Sequence, residues 1–241
     1  MAARKPGNGQ FDIYPPIPYP PPVENEPKPA RSKKTLRTEI PRKAIYRLSI
    51  YLRCLSRLKS NSIRTVSSEA LSKAAGVKST QLRKDLTYFG QFGTRGLGYD
   101  VEHLSQLISN LLGTRSLQPV ILVGVGNLGA ALLSYKGFEQ EGFEIVASFD
   151  QDIKRKRPKS LDKPLLPMEQ IPDFVASRGV KMAILTVPAP VAQEVANTLT
   201  NAGISAILNF APLVLHVPEE VVVNNVNLAI ELENLSYFIQ T

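Results

Sequence analysis

Pro119-Val120-Ile121-Leu122-Val123-Gly124-Val125-Gly126-Asn127-Leu128-Gly129 is the stretch that decides the fold of this 241-residue chain. The run Val120 to Val123 has the unbroken apolar character of a strand buried on both faces of a parallel sheet. It stops at Gly124, and Gly124-x-Gly126-x-x-Gly129 opens an apolar helix pattern. Gly124 allows the tight turn, Gly126 lets a pyrophosphate approach the backbone, and Gly129 lets helix and strand pack closely. Val125, Asn127 and Leu128 complete the loop, and the free N–H groups at the helix start suit phosphate. A second apolar strand, Ile145 to Phe149, ends at Asp150, 21 residues past Gly129. That is where a carboxylate meets the adenosine ribose hydroxyls. Strand, helix, strand and acid in this order predict a dinucleotide-binding unit. The same unit also suits coenzyme A, or a scaffold without nucleotide.

The remainder of the C-terminal half continues the alternation. Lys154-Arg155-Lys156-Arg157 follows the acid. Arginine there can accept the 2′-phosphate of NADP, but the charge of Asp150 opposes it, so the expectation is NAD with a solvated basic loop. A short strand near Leu165–Leu166, a helix from Met168 to Ser177, and a strand from Val180 to Val187 come next. A helix over Ala189–Ala202 leads to a strand over Ile204–Leu208. Ligands of open parallel sheets lie beyond the carboxyl ends of the strands. Thr186-Val187-Pro188 and Asn209-Phe210-Ala211-Pro212 are therefore expected near the second half of a dinucleotide. Phe210 fits either a nicotinamide contact or the core. Val221 to Val223 reads as a last strand, and Leu228 to Ile239 as a helix with Leu228, Leu232, Leu235 and Ile239 on one stripe. Such a helix after a complete domain needs a partner surface, its own or that of a second subunit.

The N-terminal half has different chemistry. Residues 1–112 hold 19 Lys and Arg against 8 Asp and Glu, whereas residues 113–241 hold 10 against 13. The whole basic surplus therefore lies in the first half, which points to a polyanionic partner there. Ile40 to Lys59 repeats Ile45, Leu48, Leu52, Leu55 and Leu58 at helical spacing. Ser67 caps a helix from Ser68 to Ala75, Gly76 ends it, and Ser79 caps a third helix from Thr80 to Phe89. Two short helices around a glycine turn fit a helix-turn-helix, whose second helix enters the major groove. Gln81 can pair bidentately with adenine, and Arg83 or Lys84 with guanine or phosphate. Arg64, Lys78, Ser79 and Thr80 flank that surface. Gln91 to Tyr99 carries Gly93, Gly96 and Gly98 and reads as a hairpin wing, with Thr94 and Arg95 at its tip for a narrow minor groove. A plain glycine-rich interdomain loop is the other reading. Val101 to Leu112 forms one more helix, stopped by Gly113.

Composition sets further bounds. Residues 1–39, with the run Tyr14 to Pro22, form a proline-rich tail expected to be disordered. No secretory signal is expected in it, and no apolar run reaches the ~18 residues of a membrane span. One cysteine, Cys54, in an apolar helix pattern, fits a buried thiol in a reducing cytoplasm. No Cys/His cluster has metal spacing, so no metal is expected. A dehydrogenase would need an acid/base near the cleft. His103 lies in a helix before the nucleotide unit, His216 in a loop, and Tyr135-Lys136 lacks the Tyr-x-x-x-Lys spacing. The expectation is no enzyme.

Taken together, Ile40-Pro41 with Arg47-Leu48, Ser67-Ser68-Glu69, Arg83 to Gly90, Gly93 to Gly96, Gly98-Tyr99, Gly124 to Gly129, Leu185 to Pro188 and Ile207 to Pro212 resemble the Rex family of redox-sensing bacterial repressors. The resemblance runs through residues 40–241. It implies an α/β chain with four parts: the tail 1–39, a winged helix-turn-helix domain 40–113, a Rossmann NAD(H)-binding domain 114–227, and a dimerisation helix 228–241 swapped between subunits. It implies a cytoplasmic homodimer on a palindromic operator that senses NADH against NAD⁺, with NADH lowering operator affinity. It places Phe210 and Tyr99 near the nicotinamide, and assigns Arg47, Tyr99 and a C-terminal carboxylate to a charge-sensing network. Asn227 stands at the carboxylate's position. An amide lacks the charge that pairs with arginine. Glu231, one turn on, is a substitute carboxylate. Asn227→Asp is therefore expected to displace the curve of operator binding against the NADH/NAD⁺ ratio, and coincident curves for the two proteins would show that the amide is immaterial.

Overall fold

Ala44, Leu48, Tyr51 and Leu55 recur every three or four residues, and burying that stripe makes α1 (Arg42–Ser60) a helix of 19 residues in the computed structural model. The structure describes residues 40–90, 92–93, 96–154 and 163–239. The tail, the wing-tip residues Thr94 and Arg95, and Arg155 to Arg157 of the basic run lie outside the described residues. After α1, strand β1 (Thr65–Val66) leads into α2 (Ser68–Ala74), where the Ser67 hydroxyl accepts the Ala70 N–H at 3.0 Å. Gly76 turns the chain at φ +67° into α3 (Ser79–Thr87). Here the expected cap differs. Lys78 is the capping residue, Ser79 is already helical, and no side chain caps the end. The helix also stops two residues short of Phe89.

Strand β2 (Tyr99–Asp100) pairs antiparallel with β1, Thr65 opposite Asp100 and Val66 opposite Tyr99, and Gln91, Thr94 and Arg95 of the expected hairpin lie outside the described residues. The pairing depends on the close approach at Gly98, which has φ +80° and where a Cβ would meet the carbonyl oxygen of Val66. The Asp100 carboxylate caps α4 (Val101–Leu112), accepting the His103 N–H at 2.7 Å. Leu48, Tyr51, Leu55, Leu71, Leu82, Leu86, Tyr99, Leu104 and Ile108 close one core among α1 to α4.

The second half is a six-stranded parallel sheet. In chain order it runs β3 (Gln118–Val123), α5 (Asn127–Leu133), α6 (Gly137–Gln140), β4 (Phe143–Asp150), β5 (Leu165–Pro167), α7 (Ile171–Arg178), β6 (Met182–Leu185), α8 (Ala189–Asn201), β7 (Ala206–Asn209), β8 (Val222–Asn225) and α9 (Leu228–Ile239). The order across the sheet is β5-β4-β3-β6-β7-β8. Two halves wind outward from β3, so the strand order reverses between β3 and β6 and opens a crevice at their carboxyl ends. Alternation along β3 sends Ile121 and Val123 to the face covered by α7 and α8, and Val120 and Leu122 to the face carrying α5. The single helix expected over Met168–Ser177 splits into a 3₁₀ turn, Met168–Gln170, and α7. Pro172 sits in the first turn of α7, where its missing N–H costs nothing.

Gly98→Ala is expected to destabilise the protein by about 1–2 kcal/mol from backbone strain alone, beyond the clash with Val66, and thermal unfolding of the two proteins measures it.

Candidate functional site

The turn after β3 is built by three contacts. Gly124 has φ +95°, and a Cβ there would meet Val187 Cγ1 at 2.8 Å and the Thr186 carbonyl oxygen at 2.9 Å. A Cβ on Gly129 would collide with the Gly124 carbonyl oxygen. The Thr186 hydroxyl donates to that same carbonyl at 2.6 Å, tying the end of β6 to the turn. From the other side, Asp150 Oδ2 accepts the Val125 N–H at 2.5 Å and Oδ1 accepts the Asp152 N–H at 2.9 Å. Each carboxylate oxygen thus spends one lone pair on the backbone and keeps one for an incoming hydroxyl. Around the turn lies a cleft of ≈ 930 Å³, lined by Gly124, Gly126, Asn127, Leu128, Asp150, Thr186, Val187 and Pro188. Gln151, Asp152, Met168 and Glu169 line it too. They follow the carboxyl ends of β4 and β5, a placement no local motif announces. The donor set fits a dinucleotide: a backbone cradle without side chains for phosphate, and an acid for ribose.

Not every expected cofactor residue joins this cleft. Asn209 is fully buried and spent on its own turn. Its amide donates to the carbonyls of Ala211 and Leu213 and to Asn225 Oδ1, and its Oδ1 accepts the Ala211 N–H. Phe210 is half-buried among Val120, Leu122 and Ile184. Asn209, Phe210, Ala211 and Pro212 are not among the cleft-lining residues. Tyr99 lies in the core of the N-terminal half, packed with Leu86 and Val66, and lines a separate cavity with Arg83. Pairing with Val66 in β2 holds it there.

On α3, Thr80, Arg83 and Lys84 are exposed, as are Lys78 before it and Arg64 before β1. Arg83 folds back on its own helix, donating to the Ser79 carbonyl at 3.2 Å and its hydroxyl at 3.3 Å. The inner face of α3 holds what sequence reasoning missed. Asp85 has no exposed surface. It takes Arg47 Nε at 2.5 Å and Nη2 at 2.7 Å, the Tyr51 hydroxyl at 2.8 Å and Gln81 Nε2 at 2.8 Å. Burial pushes this carboxyl up, but the hydrogen bonds from Arg47, Tyr51 and Gln81 outweigh it and hold the group below the usual carboxylate range. The Arg47 guanidinium is raised in turn, chiefly by its hydrogen bonds with Asp85. An acid at a stripe position between Leu82 and Leu86 was the signal available.

Arg47 is joined to Asp85, whereas the Asn227 side chain caps α9, accepting the N–H groups of Ala229 at 3.0 Å and Ile230 at 3.3 Å. Arg47, Tyr99 and Asn227 are not brought together within one chain. Cys54 is half-buried and burial pushes its thiol up, which makes it a packing residue. His103 and His216 bond through their backbones to Asp100 and Gln193. Among the described residues no cluster of His, Cys, Asp and Glu could hold a metal, and no helix is long and apolar enough to cross a membrane.

These sites define a two-part protein: a helical domain with a basic recognition surface, joined to a parallel α/β domain with a dinucleotide cleft. Comparison with known proteins agrees with both parts. A family model described as "Putative DNA-binding protein N-terminus" matches residues 39–87, and one described as "CoA binding domain" matches residues 116–213. The chain is 47% identical to the redox-sensing transcriptional repressor Rex of Pelotomaculum thermopropionicum, over 83% of this chain and 93% of that one. It is 46% identical to the protein of that name from Streptomyces coelicolor, over 82% and 77%. Among solved structures, RSP in complex with β-NAD⁺ and operator DNA matches with a TM-score of 0.78 and 38% identity, over 84% of this chain and 93% of that one. RSP in complex with β-NADH matches at 0.73 and 35%, over 84% and 95%. The chain belongs to the Rex family of redox-sensing transcriptional repressors.

The Asp85 network has a pH signature. A carboxyl held low in the folded state adds stability that is complete above its unfolded value of about 3.9 and is lost as pH falls through the folded value. Asp85→Asn is expected to cost roughly 3 kcal/mol at neutral pH, the low end for a broken buried pair, because Arg47 keeps 21% of its side chain exposed. Denaturant titrations should show the gap between wild type and Asp85→Asn narrowing below about pH 4.

Proposed function

We propose that this protein is a DNA-binding transcriptional repressor that senses the NADH/NAD⁺ ratio, with NADH binding lowering its affinity for operator DNA. One observation carries the reading: 84% of the chain, both domains included, matches a single Rex-family repressor solved with β-NAD⁺ and operator DNA and again with β-NADH. The cleft supports it. The turn from Gly124 to Gly129 takes the pyrophosphate, Asp150 takes the adenosine ribose, and Thr186, Val187 and Pro188 flank the far half. The nicotinamide ring is positive in NAD⁺ and neutral in NADH, and this charge is the property the pocket discriminates. The cofactor is a signal in this reading, not a reagent, as befits relatives that are repressors rather than enzymes.

On the DNA side, Arg64 and Lys78 serve phosphates, and Thr80, Gln81, Arg83 and Lys84 face the major groove, with Ser79 opening the helix. Two copies are needed. Recognition helices of a dimer address half-sites about 34–36 Å apart or multiples of it, so the operator is palindromic. The dimer has a physical basis in this chain. Helix α9 has no buried residue, with Leu232 66% and Phe238 78% exposed. An apolar groove of ≈ 410 Å³ on the α5 face of the sheet is lined by Phe138, Phe143, Ile145, Met182 and Leu208. Apolar surface of this extent needs cover. Helix α9 of a second copy supplies it and leaves one copy's sensor in contact with the other. The cytoplasm, where operator and NADH pool meet, is the compartment of this activity.

Binding is linked: a ligand that prefers one dimer arrangement weakens whatever prefers the other. Driving the switch from almost wholly bound to almost wholly released takes about 5.5 kcal/mol of differential affinity. Operator titrations at fixed salt are expected to weaken with NADH and to hold with NAD⁺. Equal curves would falsify the sensing role, and displacement of NADH by coenzyme A at equal concentration would favour a coenzyme A ligand instead.

A further inference from the structure

Gln81 and Asp85 lie one helical turn apart on α3, and their contact constrains chemistry on the outer side of the helix. The Asp85 carboxylate receives four hydrogen bonds, two on each oxygen: Arg47 Nε and the Tyr51 hydroxyl on Oδ2, Arg47 Nη2 and Gln81 Nε2 on Oδ1. An ionised carboxylate accepts only, at about four lone-pair positions, so this one is saturated. Gln81 can therefore meet it through its amide nitrogen alone. Turning the amide over would set Gln81 Oε1 against Asp85 Oδ1, acceptor against acceptor, in a site closed to water on the Asp85 side. An unconstrained glutamine samples both amide orientations and loses rotamer freedom on binding. Gln81 has only one orientation left, with Oε1 and its second N–H free.

An acceptor and a donor side by side on one amide is the pattern that matches N6–H and N7 of adenine in the major groove. The neighbouring side chains lack that fixed pattern. Lys84 is an exposed point charge, and Arg83 is tied back to Ser79. We propose that Asp85 is a specificity-positioning residue: it locks the Gln81 amide so that α3 reads adenine at one position of each half-site. The inference rests on the DNA-binding reading above. Arg47 and Tyr51 then act at one remove, by holding the carboxylate that holds the glutamine.

The test is operator binding at fixed salt, with each base pair of the half-site changed symmetrically, for wild type, Gln81→Ala and Asp85→Asn, beside a random-sequence duplex. Wild type is expected to lose about tenfold or more at one A·T pair. Gln81→Ala should be flat at that pair and keep its preferences elsewhere. Asp85→Asn offers a donor as well as an acceptor, frees both orientations of Gln81, and should cut the preference to under about threefold, read as a ratio of duplexes in which any general loss of affinity cancels. Retention of the full preference by either variant overturns the proposal. A wild type that binds no duplex overturns the DNA-binding reading with it, whereas ordinary binding with an unchanged profile overturns the proposal alone. Should Asp85→Asn fail to fold, NMR of wild type without DNA decides. One Gln81 side-chain amide proton protected from solvent exchange supports the lock, and two freely exchanging protons overturn it.

Discussion

The closeness of the Gly124 carbonyl to Gly129 is the constraint on which the nucleotide half depends. No side chain fits between the turn after β3 and the start of α5. With both positions bare, the turn is held from two strands at once, by Asp150 at the end of β4 and by Thr186 at the end of β6. These strands flank β3 on either side. The cleft therefore opens where the sheet's two halves diverge, and its shape is as rigid as the three strands beneath it. A backbone cradle of this kind is selective for phosphate because it offers N–H groups and no competing side chain.

The N-terminal half is organised by a second constraint, a buried charge. Asp85 has no exposed surface, and of its partners Tyr51 is fully buried while Arg47 and Gln81 keep part of their side chains in water. A carboxylate in such a place persists only when its lone pairs are filled. Filling them binds α1 to α3 through the Arg47 fork and the Tyr51 hydroxyl. The recognition surface on the outer face of α3 thus inherits its placement from a polar hub on the inner face. Packing alone leaves apolar helices free to slide by small amounts, whereas a bidentate pair has one good geometry.

These two constraints suit a sensor better than a catalyst. The cleft offers a backbone cradle and an acid suited to holding a nucleotide, and the formal charges of the two halves are opposite in sign. In the proposed function, assembly joins them. Helix α9 is apolar and uncovered, and the sheet face that carries α5 is apolar and partly open. In the proposed dimer, exchange of these surfaces would make the distance between two recognition helices depend on the state of two clefts. A ring charge of one unit can then act on DNA without any chemical change in the cofactor.

Local order in the sequence was enough for the elements and for the glycine cradle. The triplet Gly124, Gly126 and Gly129, the acid Asp150, the Ser67 cap and the apolar stripes of α1 and α4 all follow from short-range rules, in which the cause lies within a turn or two of the effect. Long-range partners followed no such rule. That β2 would pair with β1 across 33 residues depended on Gly98 meeting Val66. That Arg47 would find Asp85, 38 positions on, depended on α1 crossing α3. The β1–β2 pairing also holds Tyr99 in the N-terminal core, and the turn after β7 spends Asn209 on its own backbone. The sequence by itself determined a parallel nucleotide-binding domain behind a basic helical one, because periodicity and glycine spacing act locally. Only the tertiary structure decided which charged and aromatic side chains meet, because a buried polar group takes whatever partner the packing of distant helices brings within hydrogen-bond reach.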